Sequence, residues 1–141
     1  MPSFHTTIPS GWTQEQTFDY LADFRSVAEW DPSMQSATLL AGTPGEVGSR
    51  YELVMSTLGR ETKLVYETTE VQRPERFVMR CETDSLVSVD TITVSTDVQV
   101  TYDAHLELKG LKKLAEPAMQ VGLVLASERA KLSLEEKLAS A

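Results

Sequence analysis

Residues 98–110 read VQVTYDAHLELKG, and this stretch decides how the rest of the chain is read. Val98, Val100, Tyr102, Ala104, Leu106 and Leu108 fall on one side of an extended chain, with Gln99, Thr101, Asp103, His105 and Glu107 on the other. A period of two over this length predicts a β-strand with one apolar and one wet face. That is the pattern of an antiparallel sheet covered on a single side. After Gly110 the period changes. Leu111, Leu114, Ala118, Val121, Leu125 and Leu132 make one apolar stripe at helical spacing, which predicts a long helix ending near Leu138. Pro117 predicts a kink, or a main helix that restarts there, because its ring removes an amide and crowds the preceding turn. Such a helix buries its stripe only by lying against the sheet.

Working back from residue 98, turn chemistry recurs at Thr43-Pro44-Gly45, Leu58-Gly59, Arg73-Pro74-Glu75, Thr83-Asp84-Ser85 and Ser95-Thr96-Asp97. The intervening runs are rich in Val, Thr, Tyr and Ile and too closely spaced for crossover helices. A meander of about six strands between Met34 and Lys109 follows. Ahead of it, Ser3–Pro9 alternates as a short strand. Thr13 with Gln16 forms a capping-box pattern for a helix from about Gln14 to Phe24 that buries Phe18, Leu21 and Ala22. Ser26 with Glu29 repeats that pattern for a second short helix. Asp31-Pro32 stops it, since the proline ring pushes Asp31 out of the α region.

Composition excludes several classes. Thirteen Lys and Arg against 21 Asp and Glu give a net charge of −8, which lacks the basic footprint of phosphate-backbone binding, so no nucleic-acid partner is expected. Cys81 is the only cysteine, so there is no intrachain disulfide. Sharing parity with Phe77 and Met79, it reads as a buried thiol. The N-terminal MPSFHTTIPSGW has neither a basic n-region nor a long apolar run. The apolar run Val121–Ala126 is far short of the ~20 residues of a membrane span. A cytoplasmic location without stable membrane insertion is expected, and the chain reads as a single domain, 1–141, without repeats or linkers. The oligomeric state is not legible.

The order strand, two short helices, meander and long C-terminal helix resembles the α+β helix-grip fold. LADF (21–24), EWDP (29–32), PGEVGSRY (44–51), VDTITV (89–94) and VTYDAHLELKG (100–110) are similar to the bacterial polyketide cyclase/dehydrase-like branch of the START and birch-pollen-allergen-like (SRPBCC) superfamily. The resemblance covers nearly the whole chain. It implies a curved seven-stranded antiparallel sheet wrapped around the long C-terminal helix, with the first strand beside the last and an internal cavity between sheet and helix. It also implies two short helices after strand 1 that close one end. The apolar parities then become cavity walls: Tyr51, Leu53 and Met55; Leu64 and Tyr66; Phe77 and Met79; Tyr102 and Ala104. From the helix come Leu114, Ala118, Val121 and Leu125. An ordinary filled core explains the same stripes, and both readings stay open.

Asp90 is the most informative polar residue. It shares parity with Ile92 and Val94 and is expected to face the helix, where an apolar setting raises its pKa or demands a donor partner. An acid–base or ligand-contacting role competes with internal pairing to a Tyr, an Arg or an amide, and a one-residue register slip sends it into solvent. Tyr51, Tyr66 and Tyr102 either aim hydroxyls into the cavity or serve as ordinary strand residues. Trp30 is either a plug at the cavity mouth or a core anchor, and Asp31 an acceptor of local amides. His5 and His105 lie on the polar parity without a third ligand, so no metal site is expected. No nucleophile–base spacing or phosphate loop appears, and no cofactor is implied.

The resulting expectation is a binder, as carrier or sensor, of a hydrophobic small molecule such as a lipid, isoprenoid or polyketide-like aromatic. The alternative is a cyclase/dehydratase-type enzyme with Asp90 and Tyr66 as its acid–base candidates. A protein-interaction module is the third class, because the fold hosts carriers, enzymes and protein partners.

Overall fold

The computed structural model describes the backbone of residues 3–57, 59–110 and 116–139, and the side chains of residues 3–56, 59–110 and 128–139. Seven strands form one antiparallel sheet in the order β1-β7-β6-β5-β4-β3-β2. They are β1 (Ser3–Pro9), β2 (Met34–Ala41), β3 (Arg50–Thr57), β4 (Arg60–Gln72), β5 (Arg76–Glu82), β6 (Leu86–Val94) and β7 (Gln99–Leu108). The six strands expected between Met34 and Lys109 are all present, and β1 pairs with β7 through Phe4↔Ala104, Thr6↔Tyr102 and Ile8↔Val100. Register shifts between β2 and β3 and between β4 and β5 add local bending to the curved sheet.

The helix α1 (Gln14–Ala22) starts at the expected capping box. Thr13 Oγ1 accepts the Gln16 N–H, and Gln16 Oε1 accepts the Thr13 N–H. It ends two residues before the sequence expectation. The Asp23 carboxylate accepts the Arg25 N–H and caps a 3-10 turn at Phe24–Ser26 in its place. The helix α2 (Val27–Trp30) then follows, and the Asp31 N–H closes it on the Val27 carbonyl. The second capping box is absent: Ser26 lies inside the 3-10 turn in helical conformation, and its buried Oγ makes no cap bond. A cap residue must be extended for its side chain to reach back to the N3 amide, and the preceding turn denies Ser26 that geometry.

The C-terminal helix α3 (Glu116–Ala139) packs across β1 and touches α2. Pro117 sits in its first turn, where the lost amide has no intrahelical partner to forgo. The Gly11 N–H donates to the Leu138 carbonyl at 3.0 Å and ties the helix end to the β1–α1 turn. Leu132, assigned to the apolar stripe, is 64% exposed, whereas Ala130, Leu134 and Leu138 are buried. Positions two residues apart fall on opposite sides of a helix of 3.6 residues per turn, so at this end the buried face is the 130/134/138 row and Leu132 points away from it. No helix among the described residues is long and apolar enough to cross a membrane.

Candidate functional site

Alternation along each strand sends one side chain in two to the concave face of the sheet. Phe18 of α1 meets Phe77 edge-on there, with ring centroids 5.5 Å apart, and the space is filled. Toward β1, β6 and β7 the same face opens into a cavity of about 180 Å³. Its described walls come from four places. Phe4, Thr6 and Ile8 of β1 lie beside Val100, Tyr102 and Ala104 of β7. Leu53, Met55, Tyr66, Ser88 and Asp90 continue along β3, β4 and β6. Phe24, Val27, Trp30, Asp31, Ser33 and Met34 form the cap, and α3 adds Ala130, Lys131 and Leu134.

Among the residues singled out from sequence, the structure brings Trp30, Met55, Tyr66, Asp90 and Tyr102 to this cavity, with Leu53 and Ala104 beside them. It places Tyr51, Phe77 and Met79 elsewhere, fully buried in the filled region. The Tyr51 hydroxyl accepts the Gly45 N–H at 3.1 Å, and the Thr68 hydroxyl donates to Met79 Sδ at 3.2 Å. These side chains are already committed to the core. Leu64 is buried outside the lining. Leu114 lies outside the described residues, as do the side chains of Ala118, Val121 and Leu125. Cys81 is buried, and burial raises its thiol pKa. His5 opposes Asp103 across β1 and β7, and its Nδ1 bonds that carboxylate on the exposed side of the sheet.

Sequence reasoning missed the β1 residues and, Trp30 apart, the cap residues of the lining. The alternation of Ser3–Pro9 sets Phe4, Thr6 and Ile8 on one face, and pairing that face with the Val100–Ala104 face of β7 is enough to place them. Asp31 does accept its local amide, from Ser33 at 2.9 Å, together with the Ser33 hydroxyl at 2.7 Å. It also lines the cavity, which no local pattern signals.

The polar groups of the cavity form one network. Tyr102 O–H donates to Asp90 Oδ2 at 2.6 Å, and Ser88 O–H donates to Asp90 Oδ1 at 3.3 Å. Tyr66 O–H donates to Ser88 Oγ at 3.2 Å. Burial pushes the Asp90 pKa from 3.8 up to about 6, against the hydrogen bonds from Tyr102 and Ser88 that favour the ionised form; the Asp31 charge adds a smaller rise. Burial also raises Asp31, opposed by Ser33. Tyr66 and Tyr102 are pushed well above their usual value by burial first and by Asp90 next, so both phenols keep their protons and act as donors. Trp30 is 5% exposed, its ring centroid lies 6.1 Å from that of Tyr102, and its indole N–H has no hydrogen-bond partner among the described residues.

Sheet order, the α3 crossing and the internal cavity define a helix-grip protein. The sequence profile of the family described as "Polyketide cyclase / dehydrase and lipid transport" matches residues 1–138, and the chain belongs to this family. Solved structures agree on the fold. Ginseng (Panax ginseng) major latex-like protein 151 superposes with a TM-score of 0.73 at 14% identity, with 96% of each chain covered. A START superfamily protein from Mycobacterium smegmatis gives 0.72 at 14% identity, covering 96% of this chain and 94% of that one. A protein from Thermus thermophilus gives 0.71 at 16% identity, covering 97% and 95%. No curated protein matches the sequence.

Proposed function

We propose that the protein binds a hydrophobic small molecule non-covalently in the cavity beneath β1, β6 and β7. The observation that carries this reading is the cavity itself: an unfilled space walled mainly by Phe4, Ile8, Leu53, Met55, Val100 and Leu134, beside fully buried Tyr51, Phe77 and Met79 on the same inner face. Its volume of about 180 Å³ exceeds the ~150 Å³ that accommodates benzene and falls short of the ~300 Å³ at which drug-sized sites begin. This size favours a one- or two-ring aromatic over a long-chain lipid. A carrier or sensor role fits such a site. The test is organic extraction of the purified protein with mass spectrometry, joined to thermal shifts across an aromatic, isoprenoid and lipid panel. A bound aromatic or a shift of several degrees is expected; an empty extract with no shift across the panel overturns the reading.

A second reading, a cyclase/dehydratase-type enzyme, is favoured by one specific observation. Asp90 is a carboxyl near pKa 6 in an apolar cavity, hydrogen-bonded to a phenol, which suits general acid–base work near neutrality. Asp90→Asn then lowers turnover of a polyketide-like substrate by ~10²–10⁴-fold. Unchanged turnover removes this version.

A further inference from the structure

The cavity holds two carboxylates and little to balance them. Among the described residues neither Asp90 nor Asp31 makes an ion pair. The only cationic side chain in the described lining is Lys131 of α3, half-buried and on a stem long enough to carry its ammonium to water. Asp90, in contrast, is held in place by Tyr102 and Ser88. Burying a carboxylate without a cation is costly, so the fixed field of this space calls for positive charge or strong donors. The walls add aromatic faces from Phe4, Phe24, Trp30, Tyr66 and Tyr102, a lining that attracts a cation through ring quadrupoles.

Trp30 lines the cavity, while its indole N–H is sealed from it: that nitrogen is buried and has no hydrogen-bond partner among the described residues. The Trp30 ring stands 6.1 Å from the Tyr102 ring, and the Tyr102 hydroxyl grips Asp90. Trp30, Tyr102 and Asp90 therefore follow one another along the cavity wall. Asp90 feels Tyr102 and Ser88 through hydrogen bonds and Tyr66, Cys81, His105 and Asp31 through space; His105 is exposed on the other face of the sheet, and Lys131 is the one cationic side chain of the described lining.

Resting on the binding role proposed above, we infer that the ligand class is a small aromatic amine, its ring among the aromatic walls and its ammonium toward Asp90 and Asp31. Anionic ligands such as fatty acids or aryl carboxylates are disfavoured by the same wall.

Three probes of nearly equal shape separate the possibilities: tyramine, its alcohol analogue tyrosol, and 4-hydroxyphenylacetate. In titration calorimetry at pH 7.5, tyramine binds at least about tenfold tighter than tyrosol, the worth of one charge-assisted hydrogen bond, and the carboxylate binds weakest. Asp90→Asn brings the tyramine-to-tyrosol ratio toward one, and Asp31→Asn lowers it in a variant that leaves the Tyr102–Asp90 pair in place. The ratio also falls as pH drops through about 6, where Asp90 takes up a proton. Equal or better binding of tyrosol or the carboxylate, or a ratio that survives both Asp variants, overturns the amine assignment while leaving hydrophobic binding intact. Failure of all three probes together with a silent panel overturns both.

Discussion

Beneath β4 and β5 the concave face is solid. Phe18 and Phe77 meet edge to face, Tyr51, Phe77 and Met79 are fully buried, and Ser49, Thr68 and Met79 bond to one another. Beneath β1, β6 and β7 the same alternation of side chains points into about 180 Å³ of open space and carries Asp90, Asp31, Tyr66, Tyr102 and Ser88. Strand pattern does not separate the two regions. What differs is the cover. The helix α1 lays Phe18, Leu21 and Ala22 onto the first region, whereas the second lies beneath α2, the Asp31–Ser33 turn and α3, which contributes Ala130, Lys131 and Leu134 to its wall. The polar groups of the solid region are neutral and bonded to one another, while the hollow region carries two carboxylates. Packing stabilises the first region; in the second, burial works against the charge of Asp90.

The largest expected effect tests that division through volume. Phe77→Ala opens a new hole among fully buried neighbours and is expected to cost ~3–5 kcal/mol. Met55→Ala only enlarges a space that is already empty, and half or less of that cost is expected from denaturant unfolding curves. Equal losses at the two positions would erase the distinction between the regions.

A smaller effect follows from charge. Asp90 titrates near 3.8 when unfolded and near 6 when folded, so the folded state favours its protonated form. Its favourable contribution is complete below pH 3.8 and is lost as pH rises through about 6. The gap is worth about 3 kcal/mol at most. Stability of Asp90→Asn relative to the parent should therefore rise by up to that amount between pH 4 and pH 7.5 in ligand-free protein. A pH-independent difference would show that the hollow region holds its carboxylate as comfortably as the solid region holds its hydroxyls.

The fold was legible because its determinants are periodic. The alternation of 98–108, the turns between the strands and the Thr13–Gln16 box are local signals, and each corresponds to an element. Ser26–Glu29 has the letters of a capping box, yet Ser26 takes its conformation from the turn that Asp23 caps. Leu132 extends the apolar count of the stripe, yet the face that is buried at this end of the helix is the Ala130, Leu134 and Leu138 row. The candidate site was only half legible for a related reason. Parity tells which strand face is inside, so Asp90, Tyr66 and Tyr102 could be named. Parity cannot tell whether the inside is filled, and that depends on where α1 ends and α2 begins. Tyr51 and Phe77 read identically to Tyr66 and Tyr102 until a helix covers them.

The subtlest test adds atoms instead of removing them. Ala22 of α1 is 1% exposed within the solid region, and a valine there must displace packed neighbours, at an expected cost of ~1–3 kcal/mol. Ala104 of β7 lines the cavity, where two extra methyl groups meet open space and strand geometry suits a β-branched side chain. Ala104→Val should leave the unfolding midpoint nearly unchanged or raise it slightly. The same substitution narrows the space beside Asp90, since Ala104 is the cross-strand partner of that residue. Ligand affinity should therefore fall while stability does not. Opposite responses of two alanines to one substitution are expected only if the hollow region is kept open for an occupant. A matching loss of stability at both positions would mean that the cavity closes up in solution and that the inner face is one continuous core.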